Sequence, residues 1–325
     1  MRSLHDYQTI FQKYLDEHRF SQAPQELYEP VNYILSLGGK RLRPLLVLMG
    51  CDLFNNKISK AMPVAMAIEI FHNFTLLHDD IMDAAPLRRG KPTVHVRYNV
   101  NTGILSGDVM LTIAYVFLSK VTNVRLASQL MKIFNKMAIE VCEGQQYDMN
   151  FENRTDVTLP EYLKMIELKT SVLIAAAFQM GALLGGSSAE TAEKLYEFGR
   201  NVGIAFQIQD DILDTFGDPE KFGKKVGGDI VQNKKTYLVL KSYEIANETQ
   251  CADLHHFMTT ATTDETVKIE AVKKLFNALK VREHAEAVMN QYLETAFENI
   301  EQTPLSIERK NYLKTWANAL MERQV

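Results

Sequence analysis

The chain reads as an all-α protein on three observations. Apolar residues recur at three- and four-residue spacings through most of its length. Val, Ile and Thr nowhere alternate with polar residues as they would in a half-buried strand. The breaks between apolar stripes are ordinary helix stops and starts: Gly38-Gly39, Pro86 with Gly90, Gly185-Gly186, Gly217-Asp218-Pro219 and Thr303-Pro304. Tyr7, Ile10, Phe11 and Tyr14 make the first stripe, and Leu27, Val31, Ile34 and Leu35 the second. Longer ones run through Leu45–Phe54, Val64–Leu77, Ile104–Val121, Leu126–Val141, Leu163–Leu184 and Ala192–Ile212. Two or three shorter helices are expected in Thr236–Leu279, then two more over Glu283–Asn299 and Leu305–Met321. No low-complexity linker interrupts residues 1–325, so a single domain is expected, a bundle of roughly ten or more mostly antiparallel helices.

Composition narrows the class. At 46% hydrophobic and 23% charged the chain is an ordinary folded protein, too polar overall for a membrane bundle. A net charge of −4 argues against nucleic acid as a partner, and the small basic clusters suit a small anionic substrate better than a polymer. Cys51, Cys142 and Cys251 lie far apart and form neither a disulfide framework nor a zinc pattern. The first residues lack the apolar stretch of a signal peptide. The most apolar segment, Val172–Gly186, is too short to span a bilayer and is interrupted by Gln179. A soluble cytoplasmic protein with no membrane span is the expectation.

Chemistry concentrates in Phe74–Gly90, where an apolar helical run ends in Asp79, Asp80 and Asp83 and is followed by Arg88 and Arg89. Asp79 and Asp83 stand one helical turn apart, where like charges destabilise a helix unless something neutralises them. Mg²⁺ is the natural partner, because it takes one or two carboxylates plus waters and substrate phosphates. The arginines add planar forks that suit bidentate phosphate contacts. Phe206–Asp214 repeats the spacing with Asp210, Asp211 and Asp214, again after an apolar run and again before cations, Lys224 and Lys225. One such motif alone is better read as a solvated helix end. Two copies imply carboxylate clusters that hold metal ions bridging a diphosphate.

Three further stretches fit. Gly38-Gly39-Lys40-Arg41-Leu42-Arg43-Pro44 is a basic loop entering a helix, and Lys40 and Arg43 could grip a second phosphate group. Alone it is equally an ordinary basic loop. Glu167-Leu168-Lys169-Thr170 places a cation and a hydroxyl in a long apolar helix, and a buried Lys needs a partner. Gly223–Thr236 is a glycine-rich loop with cations on both sides of Asp229.

These landmarks, in this order, resemble the trans-isoprenyl diphosphate synthases of the polyprenyl synthase family over nearly the whole length. They are G-G-K-R-x-R-P at 38–44, D-D-x-x-D at 79–83 with R-R-G at 88–90, and G-D at 107–108. G-Q-x-x-D at 144–148, K-T at 169–170, F-Q-x-x-D-D-x-x-D at 206–214 and the G-K…D…K-x-T loop at 223–236 follow. One departure is Asn233, where many bacterial members carry Gly; Lys234 and Thr236 keep their places. The resemblance implies the isoprenoid synthase fold, a helical bundle around a central cavity, and a homodimer.

It implies roles as well. Asp79, Asp83 and Asp210 would be the principal ligands of about three Mg²⁺, with Asp80, Asp211 and Asp214 orienting ligands and waters. Arg88, Lys169, Lys224 and Lys234 would bind an allylic diphosphate, and Lys40, Arg43, His72 and Arg89 isopentenyl diphosphate. His72 lies two turns before Asp79 on the same face, consistent with reach into the same cavity, and a satisfied core histidine is the alternative. The carbonyls of Lys169 and Thr170 and the side chain of Gln207 would steady an allylic cation, and the released diphosphate would take the proton. Phe74 and Thr75, five and four residues before Asp79, would line the product tunnel. A bulky Phe74 with no insertion between Asp80 and Asp83 resembles the C20 pattern, with C15 close behind. The rivals are a longer-chain synthase, a cyclase or head-to-head synthase of the same fold, a silent regulatory subunit, and a metal-storing bundle. The last would need two Glu-x-x-His pairs, and only Glu69–His72 has that spacing.

Overall fold

A computed structural model of the chain describes residues 1–218, 226–259 and 264–322. In chain order the helices are α1 (Leu4–Glu17), α2 (Gln25–Ser36), α3 (Leu42–Asp52), a 3₁₀ turn (Ile58–Ala61), α4 (Met62–Met82), α5 (Val94–Arg97), α6 (Val100–Leu118), α7 (Val124–Glu152) and α8 (Leu159–Ile166). A π turn (Glu167–Ser171) leads into α9 (Val172–Gly185), then α10 (Ala189–Phe216), α11 (Gly228–Val231), α12 (Tyr237–Ile245), α13 (Glu248–Thr259), α14 (Glu265–Ala278), α15 (Val281–Glu301) and α16 (Ile307–Met321). The all-α expectation holds, and the 236–279 region contains three helices. One small departure is the hairpin of β1 (Leu87–Arg88) with β2 (Lys91–Pro92). Its two turn residues, Arg89 and Gly90, have φ of 53° and 72°, the positive pair that a type I′ hairpin turn requires.

Contacts divide into two compact units, Met1–Lys136 with Ala176–Tyr196, and Met137–Ala175 with Glu197–Val325. The divisions fall inside α7, α9 and α10 rather than at a linker.

The first unit is built on α4, which is buried on every face from Val64 to Phe71. A helix that is apolar all round belongs in a core. Its neighbours are chiefly α6 and α3. The start is set by Pro63 in the first turn, where a missing N–H costs nothing. It ends at Asp83 because Ala84 turns left-handed (φ 48°) and Pro86 follows. A Cβ on Gly181 would lie 2.2 Å from the Val47 carbonyl oxygen, so the crossing of α3 with α9 tolerates no side chain there.

In the second unit Tyr162, Ile208, Leu238, Leu254, Val272 and Phe276 belong to one buried cluster shared by α8, α10, α12, α13 and α14. Thr158 and Glu161 form a reciprocal capping box that starts α8. The π turn then interrupts the apolar run that reads from sequence as one helix. A Cβ on Gly144 would come within 2.2 Å of the Lys169 backbone nitrogen, and one on Gly203 within 2.8 Å of Ser171. Two glycines thus let the extra residue of the π turn fit between α7 and α10, a distortion often found at functional sites.

Two helical stretches are long and apolar enough to cross a membrane by composition alone, Val100–Leu118 and Leu159–Gly185. The latter is 78% buried, as a core helix is, whereas Val100–Leu118 is only 33% buried.

Candidate active site

The first acidic motif occupies the last turn of α4. Asp79 is half-buried and Asp83 exposed, and the Asp83 N–H donates to the Asp79 carbonyl at 2.8 Å. Asp80 is 2% exposed and faces Arg88, whose Nε donates to Oδ2 at 2.7 Å while Nη2 lies 2.7 Å from Oδ1. The β1–β2 hairpin brings Arg88 back onto the helix that precedes it.

Beside this motif four arginines surround one histidine. Arg41 is buried, donates to Glu69 Oε1 at 2.5 Å and also to the Leu35 carbonyl. Glu69 Oε1 accepts from Asn73 as well, at 2.8 Å. Arg43 donates to His72 Nε2 at 3.1 Å, and Arg89 to the Gly38 carbonyl. Gly39 has φ 109°, and a Cβ there would sit 2.7 Å from the Arg89 guanidinium carbon, so both glycines of the loop are needed. Burial, followed by Arg43, Arg89, Arg88 and Arg41, holds the His72 imidazole well below its ordinary pKa. His72 is therefore neutral, and its Nε2 can accept from Arg43. Burial lowers Arg43 to about 10, with Glu69 opposing and Arg89 adding to the fall. The buried Arg43 Nε has no hydrogen-bond partner among the described residues. Arg41 and Arg88 are neutralised by carboxylates, whereas Arg43 donates to a neutral ring and Arg89 to a carbonyl. Such a pocket suits an anion. Lys40 is exposed on the same loop.

The second acidic motif ends α10. Asp210 is half-buried. Asp211 is buried and accepts from the Tyr162 hydroxyl at 2.5 Å and from the Tyr237 N–H at 2.8 Å. Thr236 caps α12 by accepting from Val239, which presents the Tyr237 N–H to that carboxylate. Burial and then the charge of Asp229 push the Asp211 carboxyl well up. Asp214 accepts from the Asp229 N–H at 3.0 Å, and burial with the Asp229 charge raises it to about 6. Lys234 stands 3.5 Å from Asp229. Lys224, with Gly223 and Lys225, lies outside the described residues.

On the π turn Lys169 donates to Asp148 at 2.5 Å, and Thr170 beside it is half-buried. Gln207 is half-buried and one turn before Asp210. On α4, Phe74 is 9% exposed, its ring 4.8 Å from His78 and 5.6 Å from Phe71, which rests in turn on Phe134 at 5.3 Å. Thr75 Oγ donates to the His72 carbonyl at 2.8 Å.

Among the described residues no three carboxylate, imidazole or thiolate groups converge as a ready metal cage. That donor set still fits Mg²⁺, which leaves most of its coordination to water and phosphate oxygens. Asp79 and Asp83 offer hard oxygens one turn apart, and burial together with the charge of Asp229 raises the Asp214 and Asp211 carboxyls, which a cation would lower again.

Sequence reasoning missed three partners. Tyr162 lies 49 residues from the Asp211 it serves, so no local pattern announces it. Asp148 was visible within its motif, but its pairing with Lys169 was not. Arg41 stood inside the basic string and was passed over for its neighbours, although it is the residue that the fold buries against Glu69.

An all-α fold with carboxylate-bearing helix ends and a guanidinium cluster suits an enzyme that handles diphosphates with a divalent metal. The chain belongs to the polyprenyl synthetase family, whose pattern matches residues 24–276. It is a prenyltransferase, and family membership implies Mg²⁺-dependent catalysis. It is 47% identical over 223 residues to the geranylgeranyl diphosphate synthase of Methanosarcina mazei, covering 68% of each chain. A crystal structure of a geranylgeranyl pyrophosphate synthase superposes with a TM-score of 0.95 at 47% identity over 100% of both chains. The geranylgeranyl pyrophosphate synthetase from Pyrococcus horikoshii Ot3 gives 0.92 at 33% identity, over 98% of this chain and 97% of that one.

Proposed function

We propose that this single catalytic domain condenses isopentenyl diphosphate head-to-tail with an allylic diphosphate, releasing diphosphate and giving an all-trans product, C20 in preference to C15. The observation that carries the reading is the gathering of Arg41, Arg43, Arg88 and Arg89 around His72, which takes a hydrogen bond from Arg43 at 3.1 Å and shares α4 with Asp79. A pocket that holds its histidine uncharged with that much positive charge is built for a multiply charged anion. Isopentenyl diphosphate is held by Arg43, His72, Arg89 and Lys40. The allylic diphosphate is held by Lys169, Arg88, Lys234 and Lys224.

Asp79, Asp83 and Asp210 would hold about three Mg²⁺, which would supply charge stabilisation for the departing diphosphate. Asp80, Asp211 and Asp214 are oriented by Arg88, Tyr162 and the Asp229 N–H, and in turn hold the ligands' geometry. The Gln207 side chain and the Lys169 and Thr170 carbonyls direct oxygen dipoles at the allylic carbon as positive charge develops. The alkene of isopentenyl diphosphate attacks there, a C–C bond forms as the C–O bond breaks, and the released diphosphate takes the proton. Phe74 closes the tunnel below, and Thr75 lines its wall. With its ring braced by His78 and Phe71, Phe74 cannot easily swing away from a growing chain. Apolar walls keep out water that would quench the cation.

The working form is a homodimer in the cytoplasm. Val100, Ile104, Leu105 and Val116 expose an apolar face of α6, and the three cysteines are free thiols. Incubation with Mg²⁺, labelled isopentenyl diphosphate and dimethylallyl, geranyl or farnesyl diphosphate, followed by product sizing, tests the reading. A C20 product is expected, and no prenyl product from any starter refutes it. Light scattering should give twice the 37.0 kDa chain mass.

A further inference from the structure

The loop after the second acidic motif is held from behind by α14, a helix that carries none of the motifs. Lys268 on α14 is 5% exposed; its Nζ donates to Asn233 Oδ1 at 2.5 Å and lies 3.4 Å from the Val231 carbonyl. Asn233 has φ 57°, a left-handed conformation uncommon outside glycine that Asn adopts more readily than most residues. The next residue of α14, Ile269, meets the other end of the loop: a Cβ on Gly227 (φ 85°) would stand 2.8 Å from the Ile269 side chain. Consecutive residues of one helix thus touch both ends of the 227–233 segment.

Inside that segment the backbone is tied to the acidic motif. The Gly227 N–H donates to the Asp214 carbonyl at 2.6 Å and the Asp229 N–H to Asp214 Oδ2 at 3.0 Å. The Lys234 N–H donates to the Asp229 carbonyl at 3.0 Å. A buried ammonium is costly, and a Met or Leu of similar bulk would fill the same space with less desolvation. The oxygens that offset this cost, from Asn233 and Val231, both belong to the loop, so the ammonium ties the loop to α14.

We propose that Lys268 is a positioning residue that, through Asn233, sets where Lys234 and Asp214 stand relative to an allylic diphosphate. This rests on the reading of Lys234 as a ligand of that diphosphate. Lys268 touches no substrate and acts on binding through the loop.

The test is Lys268→Met, Lys268→Arg and Asn233→Gly in the full-length enzyme, with KM measured separately for each substrate. Lys268→Met should raise KM for the allylic diphosphate about tenfold, as loss of an outer partner does. KM for isopentenyl diphosphate, whose pocket lies in the other unit, should move less than about twofold, a split that general destabilisation would not give. Lys268→Arg should recover part of the loss. Asn233→Gly, which relieves the backbone but removes the acceptor, should show the same split, and adding Lys268→Met to it should cost little more. Hydrogen exchange should quicken at the Gly227, Asp229 and Lys234 amides in Lys268→Met and stay unchanged across α12. Equal rises in both KM values, or unchanged KM values with unaltered loop exchange, overturn the proposal. If the wild-type chain turns over no allylic diphosphate, the assignment of Lys234 fails, and loop exchange alone then decides whether Lys268 is the strut. If Lys268→Met does not fold, Asn233→Gly, whose backbone glycine accommodates readily, decides the question by the same split.

Discussion

The two acidic motifs have the same spacing and are neutralised differently. On α4 the middle carboxylate, Asp80, is met by a full positive charge, the Arg88 guanidinium. On α10 the middle carboxylate, Asp211, is met by a hydroxyl and an amide N–H, with the negative Asp229 nearby. Both carboxylates are buried, at 2% and 8% exposure, so the difference lies in the partners and not in solvent access. In the first motif the buried Asp80 is paired with a guanidinium. In the second, burial and then the charge of Asp229 raise the Asp211 and Asp214 carboxyls. A buried carboxylate met by a guanidinium keeps a charge partner within the fold, whereas one met by neutral donors is pushed toward its protonated form.

The largest effect should come from the outer carboxylates of either motif. Asp79→Ala and Asp210→Ala should each lower turnover by more than about a hundredfold, because even outer partners of a metal site cost about 10–100-fold. If the comparison is right, excess Mg²⁺ should also raise the melting temperature of the wild type, and do so less in Asp210→Ala than in Asp79→Ala. Wild-type turnover in either variant would remove that residue from the metal site.

Next come the partners that distinguish the motifs. Arg88→Ala leaves Asp80 buried and unpaired, which should cost about 3 kcal/mol of stability, measurable by urea unfolding. Tyr162→Phe leaves Asp211 with the Tyr237 N–H and a pKa already raised toward the neutral acid, so about 1 kcal/mol is expected. Equal losses would show that charge is not what separates the two sites.

Phe74→Ala should act on product and not on rate. It removes the ring wedged between Phe71 and His78, and the product distribution should move to longer chains. An unchanged distribution would place the tunnel floor elsewhere.

How much of this was legible in the chain depends on sequence distance. The length of α4 could be read nearly to its ends, since its apolar residues and its carboxylates are all local; the helix runs Met62–Met82 against an expected Val64–Leu77. The π turn was hidden inside an uninterrupted apolar run, because what creates it is the close approach of Gly144 and Gly203 from other helices. The β1–β2 hairpin is too short for any periodic signal, and only Pro86 and Gly90 hint at a turn. Candidate site residues were recognisable by type, but their pairing was not. Arg43 and His72 are 29 residues apart, Tyr162 and Asp211 are 49, and Lys268 and Asn233 are 35. Pairs at such separation are made by packing, which no local pattern encodes.

The smallest predicted effect sharpens the contrast from the side of α4. His72 is neutral in the folded protein, its pKa depressed below 6.5 by burial and four guanidiniums, whereas in the unfolded chain it titrates normally. Below about pH 6.5 the unfolded state therefore binds a proton that the native state refuses, and stability falls as pH falls. The contribution of neutral His72 is fully present above that pH and is progressively lost on acidification toward the depressed folded value. His72→Asn retains a side-chain acceptor for Arg43 but cannot titrate, so its melting temperature should fall less than that of the wild type between pH 7 and pH 5.5. Both proteins share every other titrating group, which isolates the imidazole. Parallel curves for the two proteins would mean that His72 can be protonated in place, and that the arginines around it do not act on it as one cationic pocket.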